Sequence, residues 1–413
     1  MSAQEAARKQ GQWLVVSISP DVCKTPMGSS MPPVPYNVIA KLDQALHESR
    51  DVKFNRGKAL MLGQGFVAQT LGDQAGSGTS VISGTVGADT WFDEHSQSVR
   101  VNGRPVVRHG DLCHMNGNKQ EEDKRAKKAR YACRKSQIEA GKNSQDPKTQ
   151  QAANRFEKNN QAIEKANLSE NVYDKDKEPP VGWSKATDAD LAKMGLKPKD
   201  LQLNDSDFRA QVYVPDKEVF GNDMKPTLAF KGTSTMEDWK NNGLQAMDME
   251  SPYYRKAVQL GDKLAGSSVP VEITGHSLGG GMASAASVAS GKAATTFNAA
   301  GLHPNTVGRY GGTPQSSPVQ AYRVAGEVLT GAQEPGLKTY GAAAALGGTG
   351  GVSAVAALDA MTPKAVGVPH ELPATAIDPV RRHFMRDVIA GIEDQKQEDQ
   401  AKLAQATGVT CPK

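Results

Sequence analysis

The run from Val271 to Gly281, Val271-Glu-Ile-Thr-Gly-His-Ser-Leu-Gly-Gly-Gly281, constrains this chain more than any other feature. A β-rich stretch, Val269 to Thr274, leads straight into Gly275-His276-Ser277-Leu278-Gly279, and the small residues Gly280 to Ala289 continue as a tightly packed helix. This is a G-x-S-x-G turn between strand and helix. A serine there sits on a strained turn with its hydroxyl presented, and glycines two before and two after let strand and helix pass closely. The helix start directs backbone N–H groups at any negative charge that develops beside the hydroxyl. Ser277 is therefore the candidate nucleophile, in a region that must fold with strands and helices alternating.

At 413 residues the chain has room for two or three domains. The formal net charge is only +4, and residues 118 to 178, with 15 Lys+Arg against 11 Asp+Glu, account for all of it. A global nucleic-acid-binding character is therefore not indicated. Met1 to Gln12 is polar and the apolar run Trp13 to Ile18 is short, so the expectation is synthesis in the cytoplasm without a signal peptide. Cys23, Cys113, Cys133 and Cys411 are too few and scattered for a disulfide framework. Tyr340 to Met361 is the one long stretch poor in charge, but its Ala and Gly contribute little transfer energy and argue against a membrane span.

Residues 13–117 read as a small all-β module. Trp13-Leu-Val-Val-Ser-Ile18, Ser80-Val-Ile-Ser-Gly-Thr-Val86 and Val99 to Val107 are strand-like runs separated by turn signals, Asn102-Gly103 being the clearest hairpin. The order of Asp21-Val-Cys-Lys-Thr-Pro26, Pro33-Val-Pro-Tyr-Asn37, the Gly/Ser-rich stretch Gly76 to Gly87, and Val101-Asn-Gly-Arg-Pro-Val-Val-Arg-His-Gly-Asp111 resembles the PAAR-like domains of type VI secretion. The resemblance covers residues 1–117 and implies a pointed β structure capping the spike trimer of a contractile injection machine and carrying a fused toxin. Metals occur in the wider family, and Cys23, His95, His109, Cys113 and His114 have suitable donors for a tetrahedral site, with no spacing that selects among them.

Residues 118–180 change to charged, aromatic-poor sequence. Lys124 to Lys135 holds seven basic residues and no acid, and Arg155 to Lys165 mixes Glu and Lys at helical spacing. The expectation is a solvated, partly helical linker. A docking strip for acidic headgroups or for nucleic acid is the other reading of the basic run, the absence of an aromatic platform weighing against single-strand binding.

From 181 to 413, strand and helix signals alternate as an α/β fold requires. Phe208 to Val214, Thr227 to Phe230, Val269 to Thr274, Ala294 to Phe297 and Val319 to Val324 are the expected strands, with helices at 252–265 and after Ser277. A serine nucleophile needs a base, an acid to orient it, and oxyanion donors. The loop Phe230-Lys-Gly-Thr-Ser234 places Thr233 as one donor, and the backbone N–H of Leu278 is the other. His303, His370 and His383 are the candidate bases; His303 follows Ser277 too soon, and His383 opens an apolar-periodic helix. Glu327 ends a strand and leads Asp359 and Asp378 as candidate acid.

Phe230-Lys-Gly-Thr233 with Asp238-Trp239, then Ile273 to Gly280, then Thr296-Phe-Asn-Ala-Ala-Gly301, resemble the class 3 lipase family over residues 205–392. The resemblance implies an α/β-hydrolase-type fold, Ser277 as nucleophile, Glu327 where the family more often has aspartate, His383 near the terminal histidine, and Thr233 in the oxyanion hole. No cofactor is required for that chemistry. Met236, Trp239, Leu244, Met247, Met249, Tyr253 and Tyr254 fit a lid with an apolar inner face and equally an ordinary amphipathic connector.

Together the two resemblances imply an antibacterial type VI effector that hydrolyses membrane phospholipid in the periplasm or at the membrane of a target cell. Its partners are then the spike trimer and a cognate immunity protein anchored on Trp239, Tyr253 and Tyr254, with no nucleic acid. The competing readings are a non-catalytic spike-tip adaptor and a serine hydrolase of non-lipid esters or peptides.

Overall fold

The computed structural model describes residues 5–204, 206–232, 251–327 and 365–411. The chain divides into two compact units, Met1–Ala126 and Lys127–Lys413. The first unit consists of short antiparallel pairs: Leu14–Val16 with Ile39–Lys41, Asp21–Lys24 with Pro33–Tyr36, and a three-stranded sheet of Phe66–Val67, Asp89–Phe92 and Cys113–Gly117. Asn102 and Gly103 turn a hairpin with φ of 52° and 79°, the left-handed pair that Asn and Gly adopt most easily. Ala40, Leu60, Val67 and Val107 lie in its core. The run Ser80 to Val86, expected as a strand, is a turn: Gly84 has φ 69° and Ile82 is 92% exposed.

The second unit holds a seven-stranded sheet whose spatial order follows the chain: β1 (Trp183–Lys185), β2 (Ala210–Pro215), β3 (Thr227–Phe230), β4 (Glu272–His276), β5 (Ala294–Phe297), β6 (Val319–Val324) and β7 (Val368–Leu372). The β1–β2 and β2–β3 pairs are antiparallel, and every pair from β3 onward is parallel. The two edge strands are the ones the sequence did not mark. β7 carries a proline and three exposed residues, a pattern an edge tolerates and a central strand does not.

The long helices are α1 (Lys119–Lys142), α2 (Pro147–Asn171), α3 (Pro252–Ala265), α4 (Leu278–Ser290) and α5 (Met385–Thr407). Ile273 of β4 packs with Leu228, Phe230, Val258 of α3 and Met282 of α4. Successive strand side chains point to opposite faces, so Thr274 and His276 face the other layer, where α2 and α5 lie. There Ala162, Ile163 and Ala166 of α2 share a cluster with Phe297, Tyr322, Val388 and Ile392.

The expectation of a solvated linker at 118–180 is therefore corrected, because α2 is a packed layer of the sheet. Its polar residues are buried with partners. The Arg155 guanidinium grips Asp399 of α5 through two bonds of 2.8 and 2.6 Å, and Asp399 is fully buried. Toward β4, Lys165 Nζ lies 2.5 Å from Glu272 Oε2, Ser169 Oγ 2.9 Å from Thr274 Oγ1, and the hydroxyl of Tyr173, just past α2, 2.9 Å from His276 Nδ1. Four helical residues advance about 6 Å and two strand residues about 6.6 Å, so one register satisfies all three rungs. A slip would leave buried polar groups unpaired at about 1–3 kcal/mol each.

A disulfide joins Cys133 of α1 to Cys411, 278 residues apart in sequence, and Cys23 and Cys113 are free. Among the described residues no helix is long and apolar enough to cross a membrane. The Tyr340 to Met361 stretch lies outside them.

Candidate active site

Ser277 stands between β4 and α4 with φ 57° and ψ −126°. A non-glycine residue there is strained by about 1–3 kcal/mol and persists only when its surroundings dictate it. The neighbouring glycines supply that constraint. A Cβ on Gly275 would lie 2.1 Å from the Gly279 carbonyl oxygen, and one on Gly279 would lie 2.4 Å from that of Phe230. The Ser277 N–H donates to Phe297 O at 3.0 Å, and its carbonyl accepts from Gly280, Gly281 and Ala300. Leu278 opens α4, so its N–H belongs to the first turn, where no intrahelical acceptor exists. Thr233 lies outside the described residues.

His383 sits in a single turn, Arg381–His383, just before α5. Its Nε2 is 2.9 Å from Ser277 Oγ, and its Nδ1 is 2.7 Å from Glu327 Oε2. Glu327 is 1% exposed and follows β6 through Gly326, whose φ of 65° turns the chain toward the histidine. With Nδ1–H donating to the carboxylate, Nε2 is left to accept the serine proton, an arrangement that makes a hydroxyl nucleophilic.

The structure brings together Ser277, His383 and Glu327, and not the other candidates. His370, on β7, bonds Gln320 Oε1 at 2.6 Å and stacks on Tyr322. His303 accepts the Asn305 N–H, and Asp378 is exposed and accepts the Val380 N–H. Asp359 lies outside the described residues.

Residues that sequence reasoning passed over hold this geometry. Asn298, at the end of β5 with φ 41°, donates to the carbonyls of Arg382 (3.1 Å) and His383 (3.0 Å) and accepts the Val324 N–H. Arg382 donates to Ala325 O and Ala376 O, tying the loop of His383 to that of Glu327. His276 joins its Nε2 to His383 O at 2.7 Å. One signal was available. A strand covered on both faces normally reads as continuously apolar, whereas Glu272, Thr274 and His276 put three polar residues on one face of β4.

Burial pushes the His276 imidazole down to about 3, helped by the neighbouring His383. The groups facing it are Tyr173, just past α2, and His383 from the turn before α5. The folded value lies below the unfolded one, about 6.5, so the unfolded chain takes up the proton first. The contribution to stability is complete above about pH 6.5 and is lost as pH falls from there toward 3, a change on the order of 4 kcal/mol. Urea unfolding of wild type and His276→Gln between pH 7 and 4 is expected to show a steeper acid loss in wild type. Parallel curves would refute this.

One expectation is corrected here. Tyr254 is 4% exposed and packs in the core of α3 and α4, so it is no surface anchor for a partner; Trp239 lies outside the described residues. The five metal-donor candidates of the first unit are not gathered into a site. His95 contacts Ser96 O, His109 edges onto Trp13, and His114 stacks on Trp91. The group of metal-type donors found among the described residues is Asp21, Cys23 and Asp73, which lacks histidine. Asn116 Nδ2 donates to both of its carboxylates, and burial beside Asp21 pushes the thiol up to about 11.

Comparison with known proteins adds two family matches. A toxin PAAR-like domain model matches residues 14–121, and a Tle-like phospholipase domain model matches residues 164–378, a little over half of the chain. An extracellular phospholipase A1 of Serratia liquefaciens is 33% identical over 175 residues, which are 40% of this chain and 53% of that protein. The chain thus spans about half the length of this curated relative. A crystal structure of M37 lipase aligns with 51% of this chain and 77% of its own at 13% identity and a TM-score of 0.29, too slight a likeness to carry weight.

Proposed function

The chain belongs to the Tle-like phospholipase family, and from that premise we propose that it hydrolyses a carboxylic ester of membrane phospholipid through Ser277, His383 and Glu327. The observation that carries this reading is the continuous hydrogen-bonded path from Ser277 Oγ through His383 to Glu327 on a strained strand-to-helix turn. Ser277 Oγ attacks the ester carbonyl while His383 Nε2 takes the hydroxyl proton. The Leu278 N–H, with Thr233, receives the oxyanion, and Glu327 balances the imidazolium. The C–O bond to the lysophospholipid breaks as His383 returns the proton to that oxygen. Water, deprotonated by the same histidine, then releases the fatty acid. No metal enters these steps.

The relative's name favours the A1 ester. The test is a mixed-chain phospholipid in vesicles, with released fatty acid and lysophospholipid read by mass spectrometry. Release of the chain from the A1 position supports the reading, and no release overturns it. Glu327→Gln, which favours the wrong imidazole tautomer, is expected to lower kcat about 10⁴-fold, while Asp378→Asn leaves it unchanged. Equal losses in both variants would reassign the acid.

The toxin PAAR-like match supports delivery at the spike tip of a type VI machine, action on the membrane of a target bacterium, and a cognate immunity protein in the producer. Removing residues 1–117 is expected to abolish export, scored by immunoblot of culture medium. Undiminished export would refute the delivery reading.

A further inference from the structure

The last rung between α2 and the nucleophile strand reaches the reacting groups. The Tyr173 hydroxyl lies against the Gly232 backbone and donates to His276 Nδ1 at 2.9 Å. That bond leaves the proton of His276 on Nε2, which donates to the His383 carbonyl at 2.7 Å. Gly232 must be glycine here, because a Cβ would lie 2.3 Å from the Tyr173 hydroxyl and 2.7 Å from His276 O. In sequence it immediately precedes Thr233, the proposed oxyanion donor. One phenol and one neutral imidazole therefore connect the backbone at the oxyanion loop, the nucleophile strand and the backbone of the base.

We propose that Tyr173 and His276 are positioning residues that hold the Gly232 backbone and the His383 turn in a fixed relation to Ser277, with α2 as their common support. The inference rests on the reading of Ser277, His383 and Glu327 as the reacting groups. Neutrality of His276 is part of the design. A proton on Nδ1 would abolish the acceptor for Tyr173 and set a second cation beside His383, whose ring centroid is 5.0 Å away, when His383 itself must become positive. Backbone groups misplaced by an ångström can cost catalysis about 100-fold without loss of substrate binding.

The experiment compares wild type, Tyr173→Phe, His276→Gln and His276→Asn on phospholipid vesicles, with kcat and KM separated. Glutamine offers an acceptor and a donor spaced much like the two imidazole nitrogens; asparagine is too short to span both partners. Tyr173→Phe and His276→Asn are expected to lose about 10- to 100-fold in kcat with KM unchanged, and His276→Gln to stay within about threefold of wild type. Wild-type kcat in Tyr173→Phe, or equal losses in the Gln and Asn variants, overturns the proposal. Should Tyr173→Phe fail to fold, the Gln and Asn pair decides alone.

Proton NMR of the His383 Nδ1–H resonance keeps this test separate from the proposed activity. A shift of that resonance in His276→Asn but not in His276→Gln supports positioning even if wild type hydrolyses no lipid. An unmoved resonance in both rejects it.

Discussion

Ser277→Ala is expected to lower phospholipid hydrolysis by about six orders of magnitude, the scale on which removal of a serine nucleophile acts, while the protein remains folded. The substitution deletes one oxygen from a side chain that is 3% exposed. The φ of 57° at this position is imposed by the close crossing of Gly275 and Gly279, which alanine leaves intact. His383 keeps its bond to Glu327 and the Asn298 donation to its carbonyl, so the base stays in place without its substrate proton. Oxyanion donors and binding still leave about 10³–10⁴-fold over the reaction in water. Fatty-acid release by mass spectrometry, with melting temperature measured alongside, checks both halves. Hydrolysis at the wild-type rate would remove Ser277 from the mechanism.

A chain beginning at Val181 is expected not to fold, whereas one beginning at Lys119 should fold and hydrolyse lipid. The difference is α1, whose Cys133 is joined to Cys411, together with α2 and its connections. Phe156, Ile163, Leu168 and Val172 are each at most 5% exposed, and burying four such side chains contributes roughly 6–12 kcal/mol at about 1.5–3 kcal/mol each. That is comparable with the entire net stability of a domain, about 5–15 kcal/mol. Truncation would also leave Glu272, Thr274 and His276 without Lys165, Ser169 and Tyr173, on the strand that carries the nucleophile. Solubility, circular dichroism and lipid hydrolysis of the two fragments give the answer. A folded, fully active 181–413 fragment would show that α1 and α2 are dispensable.

The elbow was legible in the sequence because everything that makes it lies within a few residues: the apolar strand, the glycines at 275 and 279, the small residues of α4. The central strands β3, β5 and β6 were legible for a similar reason, since each buries a short run of apolar or β-branched residues. The sequence put Glu327 ahead of Asp359 and Asp378 as the end of a strand, but its contact with His383 was not legible, because it depends on where β6 ends relative to the turn before α5, 56 residues away. The role of α2 was hidden for a physical reason. Arg155, Lys165 and Ser169 read as solvated because hydropathy counts a charge or hydroxyl as exposed unless its partner is known. Their partners Asp399, Glu272 and Thr274 stand 244, 107 and 105 residues away in the chain. Sequence by itself thus determined the candidate nucleophile, the elbow and the alternation of strands and helices, all products of neighbouring residues. Only the tertiary structure decided which acid and which histidine reach Ser277, and that the charged helix 147–171 is a wall of the site, because burial of a polar group is settled by what packing brings to meet it.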